Sequence, residues 1–217
     1  PDGPTLVGDV RWVGAGAPGV VVLHGFGSTR ANHGDFGERL AALDLNTLAI
    51  DLRGHGESGG TTDAGMVDDV VAALDWLVAE GAGPLGVRGS SLGGFLALNA
   101  AVRHDRVRAV VAVCPAHHDG LAERRGLTWA RDMPLHDAVA REDAIARGYW
   151  HATGDELVPW QWSWQLAGLS PHPRHLRIVM GGHHRSLQHD PSVQADTAAF
   201  LHRHLSGERA WPPAPGG

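Results

Sequence analysis

Short apolar runs alternate with helical patterns along the chain. Val20–Leu23 and Thr47–Ile50 read as buried strands, and Thr5–Val13 as an earlier one. Phe36–Leu43 has a helical pattern between them. Val67, Val70, Val71, Leu74, Leu77 and Val78 recur at i, i+3, i+4, i+7 spacing, which lays one helix face on a sheet. Pro84–Val87 predicts a short strand, Leu92–Val102 a helix rich in small residues, and Val107–Val113 a β-branched strand. Tyr149–Ala152 and Leu176–Met180 are two further strand candidates. The last helix is expected from about Pro191 to Leu205, with Val193, Thr197, Phe200, Leu201 and Leu205 on its buried face.

Strands alternating with helices call for an α/β domain: a mostly parallel, twisted sheet with helices on both faces. The reading is of a single domain over residues 1–217. Residues His117–Ala146 interrupt the rhythm, being charged, His- and Arg-rich and too long for a simple connection. They are expected to form a short helical cap insertion over one end of the sheet. Ala210–Gly217, with three prolines and two glycines, is expected to be a disordered tail.

Composition removes several chemistries. The chain has no lysine, because all 18 Lys+Arg residues are arginine. A Schiff-base lysine, a P-loop lysine and a Ser–Lys dyad are therefore excluded. The formal net charge is −6 with both signs interspersed, and no basic stripe exists to follow a phosphate backbone, so nucleic acid is not an expected partner. The longest strongly apolar run, Gly19 to Leu23, is far too short to cross a bilayer. No charged-then-apolar leader opens the sequence, and a cytoplasmic location is expected. The one cysteine, Cys114, excludes an internal disulfide and reads as a small buried hydrophobe within a strand run.

The strongest chemical signal is Gly89-Ser90-Ser91-Leu92-Gly93, which matches G-x-S-x-G between a predicted strand and a predicted small-residue helix. That context is the strand–turn–helix of a nucleophile elbow. The sharp turn strains the serine backbone and needs small flanking residues so that strand and helix can approach. The hydroxyl of Ser91 then stands clear of the sheet, with a helix N-terminus behind it. On these residues the chain resembles the α/β hydrolases of the serine-hydrolase type, in their small esterase or serine aminopeptidase-like branch. The similarity extends from roughly Val20 to Leu205 and includes His24-Gly25-Phe26-Gly27 and Asp51-Leu52-Arg53-Gly54-His55-Gly56-Glu57-Ser58.

The resemblance implies roles for individual residues. The backbone N–H groups of Phe26 and Leu92 would form an oxyanion hole, which acyl transfer needs because negative charge builds on the carbonyl oxygen. His55, between two glycines, is read as part of a turn. His151-Ala152-Thr153-Gly154-Asp155-Glu156-Leu157-Val158-Pro159 is similar to the family's G-x-x-D-x-x-V-P segment, with Ala152 where glycine is usual. Asp155 is the implied acid, with Glu156 as its neighbouring alternative. Gly181-Gly182-His183-His184-Arg185 offers two histidines; the family's loop spacing selects His184, and His183 is the alternative. The chain order Ser91, Asp155, His184 is that of this fold.

These residues imply a serine hydrolase acting on carboxylic esters of small to medium size through an acyl-enzyme intermediate. A thioesterase or small peptidase on the same triad, and a hydrolase-like protein that only binds a ligand, are the alternatives. No metal or organic cofactor is expected; His117-His118-Asp119, and His183-His184 with His189-Asp190, lack a spaced ligand motif, and the implied triad already uses part of that set. Trp160, Trp162 and Trp164 cannot all be buried by one helix face. Trp162, together with Trp129 and Met133 from the insertion, is expected to line the substrate pocket.

Overall fold

A computed structural model describes residues 3–207. Seven strands form one sheet in the order β1-β3-β2-β4-β5-β6-β7: β1 Gly8–Arg11, β2 Gly19–Leu23, β3 Asn46–Ile50, β4 Leu85–Ser90, β5 Val107–Val113, β6 Ala146–Ala152 and β7 Arg174–Val179. Only β1 runs antiparallel, at the edge beside β3, and every other pairing is parallel. Helices α1 (Gly34–Ala41) and α7 (Pro191–Ser206) cover one face. Helices α2 (Met66–Ala79), α3 (Leu92–Ala101), α5 (Leu135–Val139) and α6 (Gln161–Leu169) cover the other. The two apolar layers follow from strands such as Gly19–Leu23, in which every residue is buried. A strand buried on both sides has no polar positions to alternate with.

Local chemistry explains where elements start and stop. The side chain of Asp190 accepts the backbone N–H groups of Ser192 and Val193, Pro191 stands at the first helical position, and Gly207 closes α7 in the left-handed conformation. All ten residues of α3 are buried, so this helix needs apolar or small residues all round.

The expected α/β architecture is present, with two differences in boundaries. β1 is shorter than Thr5–Val13, because backbone donors beyond its ends turn to side chains: Val7 N–H to Ser58 Oγ (2.9 Å) and Val13 N–H to Asn46 Oδ1 (2.8 Å). β6 begins at Ala146, earlier than the apolar run suggested, and so takes the last residue assigned to the insertion. The polar position that hid this strand, Arg147, is buried because Asp143 grips its guanidinium at 2.8 and 2.7 Å. Of the three tryptophans at α6, Trp162 is buried, Trp160 half-buried and Trp164 61% exposed. Residues 117–145 hold α4 (His118–Arg125), a 3-10 turn (Thr128–Asp132) and α5. The expected tail at 210–217 lies outside the described residues.

Candidate active site

Ser91 follows β4 directly and caps α3, with φ 53° and ψ −117°. A non-glycine residue in this region costs about 1–3 kcal/mol and persists only where its surroundings impose it. Here the Ser91 N–H donates to the Val113 carbonyl (2.9 Å), and the Ser91 carbonyl accepts from Ala116 N–H (3.0 Å). The flanking glycines are a steric necessity. A Cβ on Gly89 would stand 2.1 Å from the Gly93 carbonyl oxygen, and one on Gly93 would stand 2.6 Å from the carbonyl oxygens of Leu23 and His24. The turn thus brings β4, α3 and the end of β2 into backbone contact.

The hydroxyl of Ser91 meets His184 Nε2 at 2.8 Å, and His184 Nδ1 meets Asp155 Oδ2 at 2.7 Å. The carboxylate side chain is fully buried, and that of His184 is 7% exposed. Burial pushes the Asp155 carboxyl up, but hydrogen bonds from His151, His184 and the Val158 amide outweigh it and hold the group well below the usual carboxylate range. With Asp155 ionised, His184 Nδ1 carries the proton and Nε2 accepts the Ser91 hydroxyl. Asp155 Oδ1 accepts the N–H groups of Leu157 (2.9 Å) and Val158 (2.8 Å), which fixes the carboxylate plane.

The alternatives lie elsewhere. Glu156 Oε2 accepts the backbone N–H of His184 (3.1 Å), so its carboxylate faces the loop backbone. His183 is exposed, and its backbone N–H and carbonyl both engage the Ser186 hydroxyl. His55 packs edge-on against His24 and Phe26, with ring centroids 5.2 and 5.3 Å away. Phe26 lines the cavity over Ser91. Leu92 is the first residue of α3, so its N–H has no acceptor within the helix.

The cavity measures about 480 Å³ and is walled by Phe26, His117, Leu121, Leu157 and Val158 around Ser91 and His184. Trp129, Met133 and Trp162 are not among its lining residues, which corrects the expected pocket set. Trp129 packs against Phe95 with centroids 6.1 Å apart, Met133 against the core, and Trp162 lies behind His117 at 4.1 Å. Trp129 and Met133 turn toward the core, whereas Leu121, also in the insertion, reaches the cavity wall. The wall comes instead from α4 and from the segment after Asp155.

Three residues beneath the site were not singled out from the sequence. His151, fully buried, donates from Nε2 to Asp155 Oδ2 (3.1 Å) and the Val158 carbonyl (3.0 Å), while its Nδ1 meets Ser163 Oγ at 2.7 Å. Arg88, fully buried in β4, donates to the Gln188 carbonyl at 3.2 Å and lies over the Phe36 ring at 4.3 Å. Gln188 also bonds the Ser90 hydroxyl, so this pair ties the His184 loop to the strand that carries Ser91. Burial pulls the Arg88 guanidinium down to about 10. The signal available for Arg88 was a single charge inside an otherwise apolar and glycine-rich run. Cys114, with φ 45°, buries its thiol beside Asp155. Burial holds that thiol well above its ordinary value, and the Asp155 charge adds to the effect.

Among the described residues, two groups gather possible metal ligands within 4.8 Å: Cys114, Asp155 and His184; and His117, His118 and Asp119. In the first, His184 Nδ1 and Asp155 are already bonded to each other. In the second, Arg131 holds Asp119 at 2.9 Å, and His117 Nδ1 accepts the Asp119 N–H at 3.1 Å. The first donor set is engaged within the protein, whereas in the second His118 Nδ1 is buried without a hydrogen-bond partner among the described residues. No described helix is long and apolar enough to cross a membrane.

Comparison with known proteins adds the following. The sequence profile of the family described as "Serine aminopeptidase, S33" matches residues 17–136. The Escherichia coli (strain K12) protein YfhR is 27% identical over 176 residues, covering 76% of this chain and 62% of YfhR. A pimeloyl-[acyl-carrier protein] methyl ester esterase of Neisseria meningitidis serogroup B is 39% identical over 94 residues, covering 42% of this chain and 34% of the esterase. The chain thus spans 62% or less of the length of these relatives. Among solved structures, Est1E from Butyrivibrio proteoclasticus, determined with ferulic acid bound, superposes with a TM-score of 0.81 at 17% identity, covering 94% of this chain and 97% of Est1E.

Proposed function

Since the chain belongs to the serine aminopeptidase S33 family and has the α/β-hydrolase fold, we propose that it cleaves carboxylic esters of small to medium size, with Ser91 as nucleophile, His184 as base and Asp155 as acid. The observation that carries this reading is the continuous chain of hydrogen bonds from Ser91 Oγ through His184 to Asp155, at 2.8 and 2.7 Å, opening into a cavity of about 480 Å³. Such a volume suits a compact ester. A relative named for methyl ester hydrolysis supports an ester over an amide.

The chemistry follows from the geometry. His184 Nε2 takes the Ser91 proton as Oγ attacks the ester carbonyl. Charge develops on the carbonyl oxygen, where the N–H groups of Phe26 and Leu92 receive it. Asp155 keeps the imidazole in the Nδ1–H tautomer and stabilises the imidazolium. His184 then delivers its proton to the departing alcohol oxygen, leaving an acyl group on Ser91. Water attacks that acyl group with His184 again as base, and the acid product leaves. The elbow's strain keeps Oγ aimed at the carbonyl throughout.

The test is covalent labelling by a fluorophosphonate together with a panel of p-nitrophenyl esters of graded chain length and matched amides and thioesters. Labelling confined to Ser91 with ester turnover above the other panels is the expected result. Faster amide or thioester turnover would move the substrate class, and no labelling would overturn the mechanism.

A further inference from the structure

The wall of the Ser91 cavity carries three arginines and one carboxylate, in a chain whose formal net charge is −6. Arg124 and Arg125 stand at the end of α4, and Arg185 follows the base. The carboxylate, Glu123, is held by Arg131 at 3.0 Å. Arg124 directs one N–H to the Leu157 carbonyl at 3.1 Å. Arg125 rests its guanidinium carbon over the Phe26 ring, 4.9 Å from the centroid, a cation–π contact. Neither Arg125 nor Arg185 has a carboxylate partner among the described residues. Away from the cavity some arginines, such as Arg30, Arg53 and Arg147, are held by acids, and others, such as Arg106 and Arg108, spend their N–H groups on backbone carbonyls.

We propose that this cavity selects esters that carry a second, ionised carboxylate near the scissile bond, held by Arg125 and Arg185. The proposal deepens the ester-hydrolase reading above and rests on it for turnover. The physical need is clear. A net-negative protein repels an anionic substrate at long range, and a local cluster of guanidinium groups reverses the sign at the mouth of the cleft. Arginine also meets a carboxylate with two parallel N–H groups, which orients the substrate as well as holding it. Arg125 sits on the residue whose amide is proposed to receive the oxyanion, and Arg185 is bonded to the residue proposed as base. A carboxylate held between them therefore stays close to the reacting carbonyl.

The experiment compares kcat/KM for p-nitrophenyl hydrogen glutarate and p-nitrophenyl pentanoate, which differ at the end of the acyl chain. A second pair, 4-carboxyphenyl and phenyl pentanoate, places the carboxylate on the alcohol side. The anionic member of at least one pair is expected to be favoured about tenfold at low salt, with the preference shrinking as salt rises. Arg125→Gln and Arg185→Gln should each lower the anionic-to-neutral ratio about threefold to tenfold, whereas Arg108→Gln, on β5 away from the cavity, should leave the ratio alone. Neutral esters favoured in both pairs, or ratios that ignore both substitutions, would overturn the proposal while ester hydrolysis itself stands. If no ester is turned over, the ester reading fails, and calorimetry of glutarate with the Ser91→Ala protein decides the subsite. Binding that disappears in the double arginine variant keeps the subsite, and no binding by the parent overturns it.

Discussion

Two aspartates stand at strand ends with fully buried side chains: Asp51 after β3 and Asp155 after β6. Both carboxyl groups are raised by burial and lowered further by hydrogen bonds, so both lie below the usual carboxylate value. Their partners separate them. Asp51 accepts the N–H groups of Arg30 (2.7 Å) and Glu57 (2.9 Å) and pairs with the Arg30 guanidinium. Every one of those partners is permanently a donor. Asp155 gives one oxygen to backbone amides and the other to two imidazoles, His184 and His151. An imidazole can change its proton count near neutrality, and an amide or guanidinium cannot. Burial and ionisation are therefore common to both sites, and what sets Asp155 apart is its pair of imidazole partners.

The histidines repeat the contrast. His24, beside Asp51, uses Nδ1 toward the Gly25 carbonyl (2.7 Å) and Nε2 toward Leu52 N–H (3.0 Å). Burial draws it down to about 4, so it stays neutral and acts as a fixed bracket. His184 has a hydroxyl on one nitrogen and a carboxylate on the other.

Substituting the members of the Ser91–His184–Asp155 chain separates the two aspartates most strongly. Ser91→Ala and His184→Ala are each expected to lower kcat by about 10⁴–10⁶ on a p-nitrophenyl ester, and Asp155→Asn by about 10⁴. His183→Ala should keep most activity. Thermal unfolding of Ser91→Ala should match the parent, because one small hydroxyl contributes little. A Ser91→Ala protein that still turns over ester would remove the elbow from the mechanism.

Asp51→Asn should give the reverse pattern. It strips a buried carboxylate from Arg30, and breaking such a pair costs about 3–5 kcal/mol. A loss of that size lowers Tm by roughly 6–20 °C in a chain of this length. Surviving protein should retain ester turnover. A fully stable but inactive Asp51→Asn would place this residue in the reaction and end the comparison.

A third test uses pH. Burial lowers His24 to about 4 and His33 to about 2, the latter with help from the Arg88 charge. The unfolded chain binds these protons from about pH 6.5 downward while the folded chain refuses them. Stability should therefore fall as pH drops below 6.5, by up to about 1.4 kcal/mol per pH unit for each histidine. The aspartates work in a lower window: their contribution is complete above their unfolded value and is lost only as pH falls through their depressed folded values. Urea unfolding between pH 7 and 4.5 reads the histidine window alone, and a flat free energy there would contradict neutral burial of His24 and His33.

What could be read without coordinates divides along the same line. Strands such as Val107–Val113 and the turn around Ser91 are local patterns, each contained in a few consecutive residues, and the sheet they imply is the one observed. Ser91, Asp155 and His184 were legible as positions because each follows a strand in a glycine-marked turn, although their meeting depends on strand order. Arg88 and Gln188 are 100 residues apart, and no local pattern links them. Trp129, Met133 and Trp162 were misplaced for a related reason. An amphipathic insertion shows which residues are apolar, but its docking decides whether they face the cleft or the core.

The smallest effect is the most discriminating. His151 touches neither Ser91 nor the cavity, yet it shares Asp155 Oδ2 with His184. Its Nε2 faces two acceptors, so it carries the proton, and the Ser163 hydroxyl satisfies the other nitrogen. A fixed N–H on the carboxylate holds its orientation and draws off part of its charge. His151→Phe removes that donor, and a hydrogen bond to a charged group is worth about 1.5–3 kcal/mol, only part of which reaches the reacting atoms. Expected outcomes are a kcat about tenfold lower, an unchanged KM, and a pH–rate midpoint moved upward, because the less-solvated carboxylate stabilises imidazolium more strongly. His151→Gln, whose amide can donate in the same direction, should recover part of both changes. If His151 merely fills space, Phe and Gln variants will differ in unfolding midpoint alone, with kcat and the pH profile of the parent. In that case Asp155 would be held by its backbone amides, and what separates the two sites would be His184 on one carboxylate and the Arg30 guanidinium on the other.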